Sequence, residues 1–453
     1  MATRVGMMSL GCPKNQVDGE MILASFANAG YKISEDPALA DVVIINTCGF
    51  IEDAKKESIE TILEFCTLKK EGRIKCVVIT GCLSERYREQ VAQELPEVDV
   101  ILGIGKNEEI VGLVEQALAG ERVVAFDEKE KLPLSGDRVL TNLPFYAYLK
   151  IAEGCNNRCS YCAIPMIRGR YRSKPMEEIL DEARRFARNG ITELIVVAQD
   201  PTRYGEDLYG ENRLPQLLTE LCKLEGIRWI RTLYTYPERI TDELLDVLAK
   251  EEKLVKYLDI PMQHCDGEIL KRMHRVGDKH SLLALIKKIR ERVPGISLRS
   301  TLIVGFPGET KAQFADLCDF VKEAKFDHLG CFAYSAEEGT PAASFPDQID
   351  EEVKLHRAEI IMDEQYTIQE RKMNRMIGKT VTVVAEGYDR YAECYFGRTD
   401  KDAPDIDGKV FFTSPKENKP KVGQYLTVKI TDTLDGDLVG DRVEEGGSHE
   451  HAE

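Results

Sequence analysis

Short runs of apolar residues recur along this chain, each followed by a stretch whose apolar residues fall three and four apart. Up to residue 125 the runs are "RVGMMSL", "DVVIIN" and "KCVVIT", and the stretches between them are "DGEMILASFANAG" and "EDAKKESIETILEFCTLKK". The first pattern is that of strands buried on both faces and the second that of amphipathic helices. Buried strands alternating with helices predict a parallel, doubly wound α/β sheet over 1–125. In such sheets ligands gather beyond the carboxyl ends of the strands.

Residues 126–144, "DEKEKLPLSGDRVLTNLPF", are charged and then broken by Pro and Gly, and read as a linker. Six further strand candidates follow within 145–372: "YAYLKI", "ELIVVA", "IRWIRTL", "KYLDI", "SLRSTLIVG" and "HLGCFAY". Helical patterns separate them. Six such units predict a partial (β/α)6 barrel, open because eight units close the standard one. Over 376–443 the pattern changes to period two between turn residues, as in "GKTVTVVAEGYD", "AECYFGRT", "GKVFFTS" and "QYLTVKITDTL". That is the signature of a small antiparallel β-barrel. The tail 444–453, "EEGGSHEHAE", is expected to be disordered.

No run approaches the roughly 18 apolar residues of a membrane span, and the N-terminus has no signal-peptide pattern. A cytoplasmic protein is expected. There, thirteen cysteines read as metal ligands, reactive thiols or buried apolar residues rather than disulfides. The net charge of −17 lacks the bulk electrostatics of a nucleic-acid binder and favours a basic partner.

Cys12 in "SLGCPKN", Cys48 in "INTCGF" and Cys82 in "ITGCLSE" each end a strand candidate beside a glycine. A single cysteine of this kind reads as a small buried turn residue; three at equivalent strand ends read as metal ligands. "EGCNNRCSYCAIP" places Cys155, Cys159 and Cys162 after the first strand of the second series. Thiolates select iron–sulfur clusters, zinc or copper. Structural zinc closes four protein ligands, and the nearest candidates for a fourth are Cys222 and His264. Three thiolates suit three corners of a four-iron cluster, with the fourth iron left to an exchangeable ligand.

C-x3-C-x2-C with Tyr161 before the last cysteine resembles the signature of radical S-adenosylmethionine enzymes. With the three N-terminal cysteines and the terminal barrel, nearly the whole chain resembles the methylthiotransferases. The motifs "SLGCPKN", "NTCGFIEDAKKESIETI", "DPTRYGEDLYG", "LDIPMQH", "YSAEEGTPAA" and "DAPDIDGKVFF" are similar to the branch acting on small-subunit ribosomal protein twelve. The resemblance implies two 4Fe-4S clusters, on Cys12, Cys48 and Cys82 and on Cys155, Cys159 and Cys162, and S-adenosyl-L-methionine as radical source and methyl donor. It implies conversion of an aspartate to 3-methylthioaspartate, served by an external electron donor and a sulfur donor.

Two rivals remain at this stage, a tRNA adenosine methylthiotransferase and a non-catalytic iron–sulfur electron-transfer protein. Residues 376–453 carry ten Lys and Arg against sixteen Asp and Glu, which suits a basic protein partner and makes tRNA a poor one. Acidic side chains such as Asp402, Asp405 and Asp407 are therefore expected to face the substrate. The resemblance also implies cofactor contacts by Tyr161, Gln199, Arg299 and Gly305. Read as residues alone, Tyr161 equally packs the loop, Gly305 equally makes a turn, and Arg299 equally is a surface charge. The basic run "RGRYRSK" orders the cluster loop, meets an acidic substrate group or is simply solvated.

Overall fold

The computed structural model describes residues 3–415 and 417–443; the tail 444–453 lies outside them. Six parallel strands form the first sheet, in the order Lys32–Ile33, Arg4–Ser9, Val42–Thr47, Cys76–Gly81, Val100–Leu102 and Val123–Ala125. Every residue of Val42–Thr47 and Cys76–Gly81 is buried. Val43, Ile45, Val77 and Ile79 enter one core, and Val42, Ile44, Cys76 and Val78 the core on the other face. Adjacent side chains on a strand point to opposite faces, so the unbroken apolar runs are what a sheet covered by helices on both sides requires.

Tyr146–Lys150, Glu193–Val197, Trp229–Thr232, Tyr257–Asp259, Ser297–Val304 and His328–Ala333 are the six strands of the central unit. They form two three-stranded parallel sheets. The junction is bridged by backbone bonds, Thr235 N–H to the Asp259 carbonyl at 2.9 Å and Val255 N–H to the Ile230 carbonyl at 3.1 Å. Ala147, Leu149, Leu194, Val196 and Ile230 pack outward in the core shared with the helices. Tyr146, Tyr148, Ile195, Val197 and Tyr257 face inward. The long helix Glu351–Asn374 then leads to a closed barrel of five strands, ordered Thr380–Asp389, Cys394–Thr399, Val410–Thr413, Asp437–Arg442 and Tyr425–Leu434. Its ladders are antiparallel except where Asp437–Arg442 returns beside Val410–Thr413 in the same direction and closes the ring.

The terminal barrel sits against the inward face of the central strands: Val384 and Ala403 join Tyr146, Tyr148, Trp229 and Tyr257 in one core with Val17 of the first helix. The polar contacts there are buried as well. Arg398 Nη1 donates to Glu193 at 3.0 Å, Tyr257 Oη to Asp407 at 2.7 Å and Arg299 Nη1 to Asp407 at 2.8 Å. Part of the barrel's acidic complement is therefore spent inside the molecule, while Glu393, Asp405, Asp432, Asp435 and Asp441 are exposed. Asp407 has no exposed side-chain surface and Asp402 little, while Asp405 is exposed. This corrects the expectation that all three face a substrate: these carboxylates satisfy tyrosine, arginine and histidine groups at the base of the partial barrel. No helix among the described residues is long and apolar enough to cross a membrane.

Candidate active site

Cys12, Cys48 and Cys82 follow directly, or within three residues, the neighbouring strands Arg4–Ser9, Val42–Thr47 and Cys76–Gly81. Their three loops pack on one another. Gly11, at φ +90°, lies so close that a Cβ there would meet Cys48 Sγ at 2.9 Å, and a Cβ on Gly49 would meet the Cys82 carbonyl at 2.8 Å. The glycines are needed for mutual approach of the cysteine loops. Ser58 ties the Cys48 loop to its helix, accepting from Cys48 N–H and donating to the Cys48 carbonyl, both at 3.0 Å. Burial, with Cys82 nearby, pushes the Cys48 thiol up to about 12. Bound metal reverses that preference by supplying positive charge to the thiolate.

The second set lies on the loop after the short strand Ala152–Glu153, which pairs antiparallel with Arg172–Ser173. Cys155 N–H donates to the Gly169 carbonyl at 3.2 Å, and Cys162 N–H to the Cys159 carbonyl at 3.0 Å. Ser160 is pinned from the far side, its N–H on the Met273 carbonyl at 3.1 Å and its Oγ on the Arg272 carbonyl at 2.7 Å. Burial raises the Cys155 thiol to about 11, and burial together with Cys159 and Cys155 raises Cys162 further. Among the described residues no group of three or more His, Cys, Asp or Glu is placed to hold a single metal ion.

A buried ion network joins the two sets. Lys150 Nζ and Arg168 Nη1 both contact Asp18, from the first helix, and Glu153, two residues before Cys155. Arg168 Nη2 donates to Asn15 at 2.9 Å and to Cys82 Sγ at 3.3 Å. Burial opposes ionisation of Glu153, but Lys150 and Arg168 overcome it and hold the carboxyl down to about 2. The run 168–174 thus orders the loop of Cys155, Cys159 and Cys162: Arg168 is spent here and Lys174 on Glu182.

Two buried acceptors near the carboxyl ends of strands Glu193–Val197 and Tyr257–Asp259 have no hydrogen-bond partner, Gln199 Oε1 and Asp259 Oδ1. Gln199 Nε2 donates to Glu153 Oε1 at 2.7 Å, which leaves its carbonyl oxygen as an acceptor without a donor. Such atoms fit a polar ligand, since a buried acceptor left alone costs about 1–3 kcal/mol. Tyr161 packs with Phe306 and Tyr334, its hydroxyl 3.5 Å from Arg275 Nη1. Gly305, at φ +70°, is closed off by Lys354, whose Cγ would lie 2.1 Å from an added Cβ. Arg299 is the third residue of its strand; its Nη1 reaches the terminal barrel at Asp407, and its Nε lies 3.9 Å from Asp259 Oδ1.

Burial pushes the Asp259 carboxyl up to about 6, partly offset by Arg299 and the Tyr234 amide. Its folded value lies above its unfolded value of 3.8, so ionisation costs stability. Stability falls as pH rises from about 4 to about 6, by about 3 kcal/mol in all. Asp259→Asn should therefore raise the unfolding midpoint at pH 7.5, with the gain shrinking toward pH 4. An unchanged midpoint at pH 7.5 would show that Asp259 is not held ionised at a cost.

The central unit matches the radical SAM superfamily over residues 149–321, the first sheet an uncharacterised protein family, UPF0004, over 4–103, and the terminal barrel the TRAM domain over 377–443. Relatives named ribosomal protein uS12 methylthiotransferase RimO span the chain. The Clostridium acetobutylicum protein is 46% identical over 96% of this chain and 97% of its own length. That of Pelotomaculum thermopropionicum is 47% identical over 98% and 100%. The chain belongs to the ribosomal protein uS12 methylthiotransferase family. Among solved structures, the radical S-adenosylmethionine methyltransferase TsrM of Kitasatospora setae aligns with a TM-score of 0.53 at 14% identity, over 76% of this chain and 77% of that one. That likeness concerns the fold alone. For a radical methylthiotransferase, the arrangement above puts both cysteine sets at strand carboxyl ends.

Proposed function

We propose that this enzyme converts an aspartate of ribosomal protein uS12 to 3-methylthioaspartate in the cytoplasm. It does so with one four-iron cluster on Cys155, Cys159 and Cys162, a second on Cys12, Cys48 and Cys82, and S-adenosylmethionine. The observation that carries the reading is the pair of three-cysteine sets tied by the network of Asp18, Lys150, Glu153 and Arg168. Each set supplies one ligand fewer than a four-iron cluster takes from cysteines alone. When bound, these groups supply hydrogen abstraction from an unactivated carbon and delivery of methylated sulfur. An external donor provides the electron, and a sulfur donor replenishes the sulfur.

The chain's own residues bind and orient. Gln199 Oε1 and the Asp259 carboxylate stand ready to accept from an ammonium such as the methionine end of the cofactor. Glu153 fixes the Gln199 amide, so that its free oxygen has one orientation. The terminal barrel closes the base of the partial barrel and keeps water from the inner face, where electrostatic contacts then act at low dielectric. Residues 1–125 hold the second cluster, 145–372 the radical site and 376–443 the brace, with 126–144 between the first two.

The test is mass spectrometry of uS12 after anaerobic incubation with reconstituted enzyme, cofactor and reductant. One methylthio group on one aspartate-bearing peptide is expected, and none with Cys48→Ala. An unmodified uS12 alongside a methylthiolated tRNA adenosine would replace this reading with the tRNA one.

A further inference from the structure

One cation near the two cysteine sets has no acidic partner. Lys14 lies in the first turn of the helix Pro13–Asn28, two residues after Cys12, and is 8% exposed. Its Nζ sits over the Tyr234 ring, 3.4 Å from the centroid. Among the described residues it donates no hydrogen bond and makes no ion pair. The charged and thiol groups that face it are Cys12, Glu153, Asp259 and Arg168. The cations around it are engaged: Lys150 and Arg168 by Asp18 and Glu153, Arg299 by Asp407, and Arg275 by Glu238 and the Pro261 carbonyl.

The support beneath Lys14 is built at a cost. Tyr234 has φ +68°, a left-handed conformation that is strained for an aromatic residue. Its N–H donates to Asp259 Oδ2 at 2.9 Å, which holds it there. The ring covers one side of the ammonium and consumes none of its three donors. A buried cation presented in this way awaits an anion.

We propose that Lys14 binds the side-chain carboxylate of the substrate aspartate, and so selects aspartate over its neutral analogue. The proposal rests on the reading that uS12 is modified at an aspartate. A carboxylate on Lys14 Nζ brings the adjoining β-carbon close to the Cys12 loop, where the sulfur must be delivered. Its charge is satisfied without disturbing the Asp18 network. An amide in the same place leaves the ammonium unneutralised.

The experiment is a two-by-two cycle on anaerobically reconstituted holoenzyme. Wild type and Lys14→Met are each titrated with uS12 and with uS12 whose target aspartate is replaced by asparagine; binding is read by fluorescence anisotropy of labelled uS12 and the modified fraction by mass spectrometry. Iron content is measured in both enzymes. Wild type should bind the aspartate form about tenfold to a hundredfold more tightly. Lys14→Met should bring the two forms to within about twofold, and Lys14→Arg should restore part of the preference. An unchanged preference in Lys14→Met, or a wild type indifferent to the asparagine change, overturns the proposal. So does loss of iron from Lys14→Met, which would make Lys14 a support for the second cluster. A wild type that neither binds nor modifies uS12 instead removes the functional reading itself.

Discussion

Cys155→Ala is expected to take the reconstituted chain from about eight irons to about four and to abolish cleavage of S-adenosylmethionine. Cys48→Ala should lose a similar amount of iron yet still cleave the cofactor, while no longer methylthiolating. The asymmetry follows from how the two sites are held. Cys155, Cys159 and Cys162 depend on a loop fastened by Gly169, Met273 and Arg272, and it meets the N-terminal cysteines through Arg168 and the packing of Ala163 and Ile167 on Cys82. Removing Cys12, Cys48 and Cys82 together costs Arg168 only its bond to Cys82. Asp18, Glu153 and Asn15 remain to hold it, so Glu153 keeps its partners and Gln199 its orientation. Iron and 5′-deoxyadenosine are measured separately. A Cys155→Ala chain that keeps eight irons, or a folded triple variant that no longer cleaves, would refute the assignment of ligands to two independent clusters.

The two α/β units were legible because burial on both faces leaves unbroken apolar runs such as "DVVIIN", and a strand that ends in cysteine can be read directly. The closing strand Asp437–Arg442 was not, because "DLVGDR" has too little apolar content to signal a strand by itself; it is fixed by pairing with Val410–Thr413 and Tyr425–Leu434. The short pair Ala152–Glu153 and Arg172–Ser173 was missed for the same reason. The placement of all six cysteines at the ends of strands could be read from spacing. The network behind them could not: Asp18 is more than 130 residues from Lys150, Glu153 and Arg168, and each alone resembles a solvated charge. Lys150 carried a weak signal, a charge at the inner end of an otherwise apolar strand. Arg299 was read from resemblance alone; its register opposite His328 and Asp259 and its bond to Asp407 tie it to the terminal barrel, a contact that spacing could not reveal.

Asp407→Lys is expected to destabilise the whole chain by about 3–5 kcal/mol, the cost of leaving buried partners of an ion pair uncompensated. Asp407 accepts from Tyr257 Oη at 2.7 Å, Arg299 Nη1 at 2.8 Å and its own barrel's Ala403 N–H at 2.8 Å. A lysine there removes three acceptors' worth of bonding and sets a second cation beside Arg299. Asp407→Asn retains an acceptor and should cost less, about 1–3 kcal/mol. Asp405→Lys, at an exposed site with only the Tyr146 hydroxyl at 3.3 Å but in a left-handed conformation at φ +67°, should cost the least, about 0.5–1 kcal/mol. Urea unfolding of the three variants checks the order. It also decides what Asp407 is for. If Asp407→Lys unfolds at the wild-type midpoint, the contact with Arg299 is dispensable and the carboxylate is free to serve a basic partner. If it unfolds early, charge reversal at Asp407 cannot report on docking, because the side chain holds the barrel to the inner face of the radical domain. Removing residues 376–443 would then leave Glu193 and Arg299 facing water-filled space and uncover Tyr146, Tyr148 and Trp229, so truncation should impair cofactor cleavage as well as substrate modification.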